Sequence, residues 1–156
     1  MSRAGIGYDI HRLAADRRLV LGGVAIEHPM GLVGHSDGDV LLHALMDALL
    51  GAANLGDLGR HFPSDDPAYA GARSLDLARK VGGLVRERGF TVSSLDATVI
   101  AQAPRLAPHV EAMREAIAKA LEVGIDRVSV KATTNDGLGV VGAGEAIAAL
   151  AIAQLE

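Results

Sequence analysis

Ser36-Asp37-Gly38-Asp39-Val40-Leu41-Leu42-His43-Ala44-Leu45-Met46-Asp47-Ala48-Leu49-Leu50-Gly51 is the stretch on which the reading of the chain turns. Leu42, Leu45, Met46, Leu49 and Leu50 recur at helical spacing and predict a helix over residues 39–54. Ser36 and Asp39 have the S-x-x-D arrangement of a capping box, which puts the N-cap at Ser36. Asp39, His43 and Asp47 follow at intervals of four and share one stripe of that helix. A solvated face is the ordinary reading of such a stripe. Leu and Met flank it on both sides, however, and a charged stripe in so apolar a helix implies a buried polar site.

Upstream, residues 3–9 predict a short strand ending at Asp9, and residues 19–24 a second, followed by a Gly- and His-containing loop to Gly38. Downstream, residues 55–73 are rich in Gly, Pro and Asp and predict a loop. A second helix starts after Ser74 and stops before Gly89. Residues 95–101 predict a strand, and Pro104 and Pro108 frame a loop before a third helix that ends near Val123. Residues 127–133 predict another strand, with a turn at Asn135-Asp136-Gly137. The alanine-rich end, residues 145–155, has helical propensity, but its position after a Gly-rich turn favours a strand. Together these predict an α+β fold, a two-layer sandwich of a mixed four-stranded sheet with helices on one face. No repeat or linker divides residues 1–156, which predict a single catalytic domain.

Composition narrows the function. A net charge of −4 and only two Tyr and two Phe argue against nucleic acid as a partner. No cysteine occurs, so a metal would have to sit on His, Asp or Glu. The N-terminus lacks the apolar core of a signal peptide, and the final apolar stretch is too short to span a bilayer, so no membrane partner and a cytoplasmic location are expected.

Several constellations carry chemistry. Asp9 and His11, at i and i+2 of an extended segment, project to one face. With His43 they would give three ligands and an open fourth position, the pattern of a catalytic zinc, with Asp39 or Asp47 orienting His43. His35 and Ser36 precede the helix, where phosphate is attracted. Asp57, Leu58 and Gly59, then Phe62, Pro63, Ser64, Asp65 and Asp66, form loops able to meet polyol hydroxyls. Ala101, Gln102, Ala103, Pro104, Arg105 and Leu106 form a loop whose backbone suits a pyrimidine, with Arg105 placed to clamp a diphosphate. Ala132, Thr133, Thr134 and Asp136 offer hydroxyls and an acid suited to phosphate and a hard cation. Each segment alone also reads as an ordinary turn or loop. Their coincidence points to metal-assisted chemistry on a phosphorylated substrate.

Gly7-Tyr8-Asp9-Ile10-His11, His35-Ser36-Asp37-Gly38-Asp39 through His43, Asp47-Ala48-Leu49-Leu50-Gly51-Ala52, Gly56-Asp57-Leu58-Gly59, Phe62-Pro63, Ala101-Gln102-Ala103-Pro104, Lys131-Ala132-Thr133-Thr134 and Gly142-Ala143-Gly144-Glu145 occur in that order along nearly the whole chain. In this combination the chain resembles the 2-C-methyl-D-erythritol 2,4-cyclodiphosphate synthases. The resemblance implies a homotrimer with active sites between subunits, zinc on Asp9, His11 and His43, and transition-state contacts from His35 and Thr134. It implies that Ser36, Asp57, Leu58, Gly59 and the Phe62–Asp66 loop meet the methylerythritol phosphate, and that the 101–106 loop with Ala132 and Thr133 meets the cytidine diphosphate. Asp136 stands where the family commonly has Glu, the ligand of a magnesium or manganese ion. Arg105 stands where Lys is common, and Ala143 where some members carry Arg.

The implied reaction is attack of a substrate's own 2-phosphate on the β-phosphorus of its cytidine diphosphate, closing a ring and expelling CMP. Two alternatives stand beside it: a zinc-dependent phosphohydrolase, and a trimeric module that binds a small ligand without chemistry.

Overall fold

The computed structural model describes residues 1–156. The chain runs β1 (Arg3–Ala15), β2 (Leu19–Leu21), β3 (Val24–Ile26), β4 (Met30–Leu32), α1 (Val40–Ala52), α2 (Leu58–His61), α3 (Ser74–Glu87), β5 (Val92–Ile100), α4 (Val110–Leu121), β6 (Val128–Thr133), α5 (Gly139–Gly142) and β7 (Ala146–Leu155). Successive side chains of a strand point to opposite faces. On β1, Gly5, Gly7, Asp9, His11 and Leu13 share one face, and Ile6, Tyr8 and Ile10 share the other. α1 lies on the glycine face. A Cβ on Gly7 would fall 1.8 Å from the carbonyl oxygen of Ala44, and one on Gly5 would fall 2.0 Å from that of Ala48. The helix therefore sits closer to the strand than any residue with a side chain permits.

β7 continues this floor with Ala149, Ala151 and Ala153, all buried. It pairs antiparallel with β1 from Arg3↔Leu155 to Arg12↔Ala146, and with β5 on its other edge. With both edges taken, its backbone is satisfied as a strand. Alanine is the side chain that fits beneath a close helix, so packing overrides helical propensity. β5 and β6 pair in parallel. α3 packs on α1, and α4 on α3 and β6, which completes the helical layer. The opposite sheet face leaves Ile6, Tyr8, Ile10, Leu150 and Ile152 exposed.

The sheet has five strands in the order β4-β1-β7-β5-β6, rather than the four expected. β1 does not stop at Asp9 but continues to Ala15, and β4 pairs with its far end through Leu13↔Leu32 and Ala15↔Met30. The expected single strand at 19–24 is a hairpin of β2 and β3, turned by Gly22 and Gly23 with φ of 59° and 76°. The helix N-cap is Asp39, not Ser36: Asp39 Oδ1 accepts from the Leu42 amide at 3.0 Å. The 55–73 segment contains the short helix α2.

Asp39 joins these pieces. It is fully buried, and its carboxylate also accepts the Gly22 amide at 3.0 Å and the Gly23 amide at 2.7 Å. Burial outweighs these donors and pushes its carboxyl up to about 6. A folded-state pKa above the unfolded one means the group's contribution is full below the unfolded pKa of 3.8 and declines as pH rises through 6. In Asp39→Asn, the amide oxygen keeps two of the donors while the NH2 confronts the third, so about 2 kcal/mol of stability is expected to be lost. Urea unfolding at several pH values checks both effects. The native-minus-variant difference should shrink as pH rises from the unfolded pKa toward the folded one, because only the native chain has this carboxyl.

Candidate active site

Asp9 and His11 leave β1 on the face covered by α1, which is where His43 points. Asp9 Oδ2 lies 2.7 Å from His11 Nε2 and 3.1 Å from His43 Nδ1, and the two nitrogens are 3.2 Å apart. The far nitrogen of each ring is engaged elsewhere. His11 Nδ1 donates to the Val33 carbonyl at 2.5 Å, which turns Nε2 toward Asp9 and His43. His43 Nε2 lies 3.0 Å from Ser36 Oγ and 3.1 Å from Ser74 Oγ. Burial alone would raise the Asp9 carboxyl, but hydrogen bonds and charge attraction from His11 and His43 outweigh it and hold it at about 2. Burial likewise works against the His11 imidazolium, but bonds to Asp9 and Val33 raise its pKa.

Asp9, His11 and His43 form a group of half-buried ligand atoms, all within 4.8 Å of one another, that could hold a metal ion. Two imidazole nitrogens and one carboxylate oxygen, each ring anchored from behind, fit a borderline divalent ion such as zinc.

The cluster opens into a cavity of about 280 Å³ that His35, Ser36, Asp47, Leu58, Gly59, Phe62, Ser64 and Tyr69 also line. The polypeptide around it is stitched together. His35 Nε2 donates to the Asp66 carbonyl at 2.8 Å, and the Gly71 amide donates to the His35 carbonyl at 2.8 Å. Phe62 and Tyr69 meet edge to face at 5.2 Å. Asp57 caps α2 by accepting the Arg60 amide at 2.9 Å. Asp57, Pro63, Asp65 and Asp66 are outside the lining.

Asp39 and Asp47 do not orient His43. Asp39 is spent on three backbone amides, and Asp47 accepts the Leu58 amide at 2.7 Å, tying α2 to α1. The hydroxyls of Ser36 and Ser74 hold the ring instead. Ser74, Tyr69 and Leu77 at this site come from a region where sequence offered only loop and helix-start signals.

The other expected residues gather elsewhere. The Ala101 amide donates to the Thr133 carbonyl at 2.9 Å, and the Gly137 amide to Gln102 Oε1 at 3.1 Å, which joins the 101–106 loop to the end of β6. Ala103, Pro104 and Arg105 belong to that loop, while the Leu106 side chain is buried in the core. Ala132 and Thr133 end β6, and the Asp136 amide donates to Thr134 Oγ1 at 3.2 Å in the turn beyond. Asp9, Ala149, Val99 and Ala132 are level with one another across the sheet. Three strand-to-strand steps place the second cluster roughly 14 Å from the first. The expected residues thus fall into two separate groups on the chain.

The YgbB family model matches residues 2–156. A 2-C-methyl-D-erythritol 2,4-cyclodiphosphate synthase of Alkaliphilus oremlandii is 58% identical over 153 residues, covering 98% of this chain and 98% of its own. The synthase of Trichlorobacter lovleyi is 57% identical with the same coverage of both chains. A solved synthase in a CDP-bound form superposes with a TM-score of 0.90 at 37% identity, covering 99% of this chain and 100% of its own. No helix is long and apolar enough to cross a membrane. With the family model matched from end to end and close relatives of the same length, this chain belongs to the YgbB family, that of the 2-C-methyl-D-erythritol 2,4-cyclodiphosphate synthases.

Proposed function

We propose that this chain converts 4-diphosphocytidyl-2-C-methyl-D-erythritol 2-phosphate into 2-C-methyl-D-erythritol 2,4-cyclodiphosphate and CMP. This is a step of non-mevalonate isoprenoid biosynthesis, and the activity is that of a cytoplasmic phosphorus–oxygen lyase in one catalytic domain. The observation that carries the reading is the Asp9–His11–His43 cluster opening beside His35 and Ser36, in a chain 58% identical to a named synthase.

The nucleophile is a phosphate whose second pKa is about 6, so it is already ionised near neutrality and needs no general base. The chain's task is to hold two anionic ends of one molecule together, which can supply about 7–11 kcal/mol. His35, with Nε2 committed to the Asp66 carbonyl, has Nδ1 left to donate to a phosphate oxygen when the ring is protonated. Ser36 and the segment around Gly59 and Ser64 supply polar groups for the methylerythritol phosphate. When bound by Asp9, His11 and His43, zinc would offset the repulsion between the phosphates.

The half-sites support a homotrimer. About 14 Å apart on one chain, they join if the 101–106 and 132–136 cluster of one copy faces the metal cluster of the next, as a heterologous ring allows. The exposed apolar face of Ile6, Tyr8, Ile10, Leu150 and Ile152 supports burial against other copies. The CDP-bound form of a solved relative supports a cytidine-diphosphate role for the 101–106 loop and Thr133. Thr134 would then lie beside the reacting phosphates, and Asp136 would hold a magnesium or manganese ion that offsets their charge.

Phosphorus NMR during incubation with the cytidylated substrate tests the reaction. Cyclic diphosphate and CMP are expected, while a linear product would make the protein a hydrolase. Light scattering that finds an active monomer would overturn the trimer. Asp136→Ala is expected to lower turnover by at least about tenfold, because the hard cation loses its carboxylate, while zinc stays bound. Metal analysis and magnesium titration check this, and an unchanged magnesium dependence would remove Asp136 from the site.

A further inference from the structure

We infer that Arg17, two residues beyond the end of β1, is a positioning residue: it fixes the Leu32–Gly34 backbone against which the His11 ring is set. Arg17 is half-buried and enters none of the chain's ion pairs. Its guanidinium is spent on two carbonyls instead. Nε donates to that of Leu32 at 3.2 Å and Nη2 to that of Gly34 at 3.2 Å. The carbonyl between them, that of Val33, is left to His11, whose Nδ1 donates to it at 2.5 Å. The Val33 amide is committed too, donating to the Arg12 carbonyl at 2.8 Å. Val33 is thus held by the residue next to His11 and by one guanidinium that spans both of its neighbours.

β4 ends at Leu32, so regular strand pairing gives out where the partner of His11 begins. Beyond that point the direction of the Val33 carbonyl depends on the peptide units on either side of it. A guanidinium suits the task of holding both, because its planar fork presents donors at fixed spacing and keeps its charge. Lysine would keep the charge but not the fork. The backbone also touches the ring directly: a Cβ on Gly34 would fall 3.1 Å from His11 Cε1 and 3.2 Å from Nδ1. Without the fork, the Leu32 and Gly34 carbonyls turn to water, the Val33 carbonyl loses its fixed direction, and the ring swings on its strand. His11 Nε2, now 2.7 Å from Asp9 Oδ2 and 3.2 Å from His43 Nδ1, then leaves the cluster. Groups that orient a ligand from behind alter metal affinity by about 10–100-fold. Arg17 acts through one further bond, which places it at the lower end of that range.

The inference rests on the reading of Asp9, His11 and His43 as metal ligands, but its test does not need turnover. Proton NMR of the metal-free chain should show a cross-relaxation peak between the His11 Hε1 proton and the Gly34 α-protons, since the ring lies against that backbone. The peak is expected to be lost in Arg17→Met and weakened in Arg17→Lys. Competition with a chromophoric chelator should show zinc binding weakened about tenfold in Arg17→Met and less in Arg17→Lys. Urea unfolding of the same samples separates stability from positioning. Arg17→Met that keeps the native peak and native zinc affinity overturns the inference, even if it unfolds more easily. If Arg17→Met does not fold, Arg17→Lys decides in the same way, and failure of both to fold makes Arg17 a folding residue and overturns the positioning role. If the native protein binds no zinc, the metal reading fails, and the ring-to-backbone peak still decides the role of Arg17.

Discussion

His43→Ala is expected to release zinc and to lower cyclodiphosphate formation by on the order of 10³-fold, with the fold retained. Two of the three proposed ligands, Asp9 and His11, lie two residues apart on one strand, and His43 alone brings the helical layer to the ion. Its removal leaves a two-ligand site open to water. Asp9 also loses one of the two partners that outweigh its burial, so its carboxyl rises from about 2. The fold should survive because alanine is the best helix former and α1 is held by its leucines on the same sheet. Metal analysis, circular dichroism and product NMR on one preparation separate these outcomes. Asp47→Ala is the control: its carboxylate bonds only the Leu58 amide, so it should loosen α2 and leave zinc in place. Full zinc retention in His43→Ala would remove it from the ligand set.

The different fates of Asp39, His43 and Asp47 mark where sequence reasoning stopped. A residue four positions on along a helix is rotated by about 40°, so a stripe drifts by about 80° over eight. Asp39 therefore meets the β2–β3 hairpin, His43 meets β1, and Asp47 meets α2. Asp9 and His11 were legible as a pair because strand alternation is local. Their convergence with His43 needed only one strand-to-helix contact. Ser74 offered no such signal, because its partners Asp37 and His43 lie in other segments and its own context reads as a helix start. The layer architecture was legible from the apolar spacing of α1 and from the start and stop signals that bound α3 and α4. The extra strand was not, since β4 is three residues long and owes its pairing to the far end of β1. The distance between the two residue groups follows from strand order, which no local pattern encodes.

Gly7→Ala is expected to cost several kcal/mol, or to prevent folding, although alanine is the smallest possible change. The added Cβ would lie 1.8 Å from the Ala44 carbonyl oxygen, 2.8 Å from its carbon and 2.9 Å from the Ala48 amide nitrogen. All three are helix backbone, so no side chain can rotate away. The helix must rise from the sheet, and the buried leucines beneath it lose contact together. Overpacking against a rigid element costs about 1–3 kcal/mol and occasionally more, and here the displaced element is the core helix itself. The metal site should fail with it. Asp9 is two residues from Gly7 on the strand and His43 adjoins Ala44 on the helix, so a lifted helix separates the ligand atoms that now lie 3.1 Å apart. Gly51→Ala is the counterpart. Gly51 is an exposed position of α1 with nothing within 4 Å of an added Cβ. Relief of glycine's backbone entropy there should add about 0.5–1 kcal/mol. The same substitution in contacting elements thus has opposite sign, according to whether a backbone stands in the way. Urea unfolding with zinc titration of both variants measures it. A Gly7→Ala protein within about 1 kcal/mol of native, with zinc still bound, would mean that the helix and strand tolerate a separation this packing forbids.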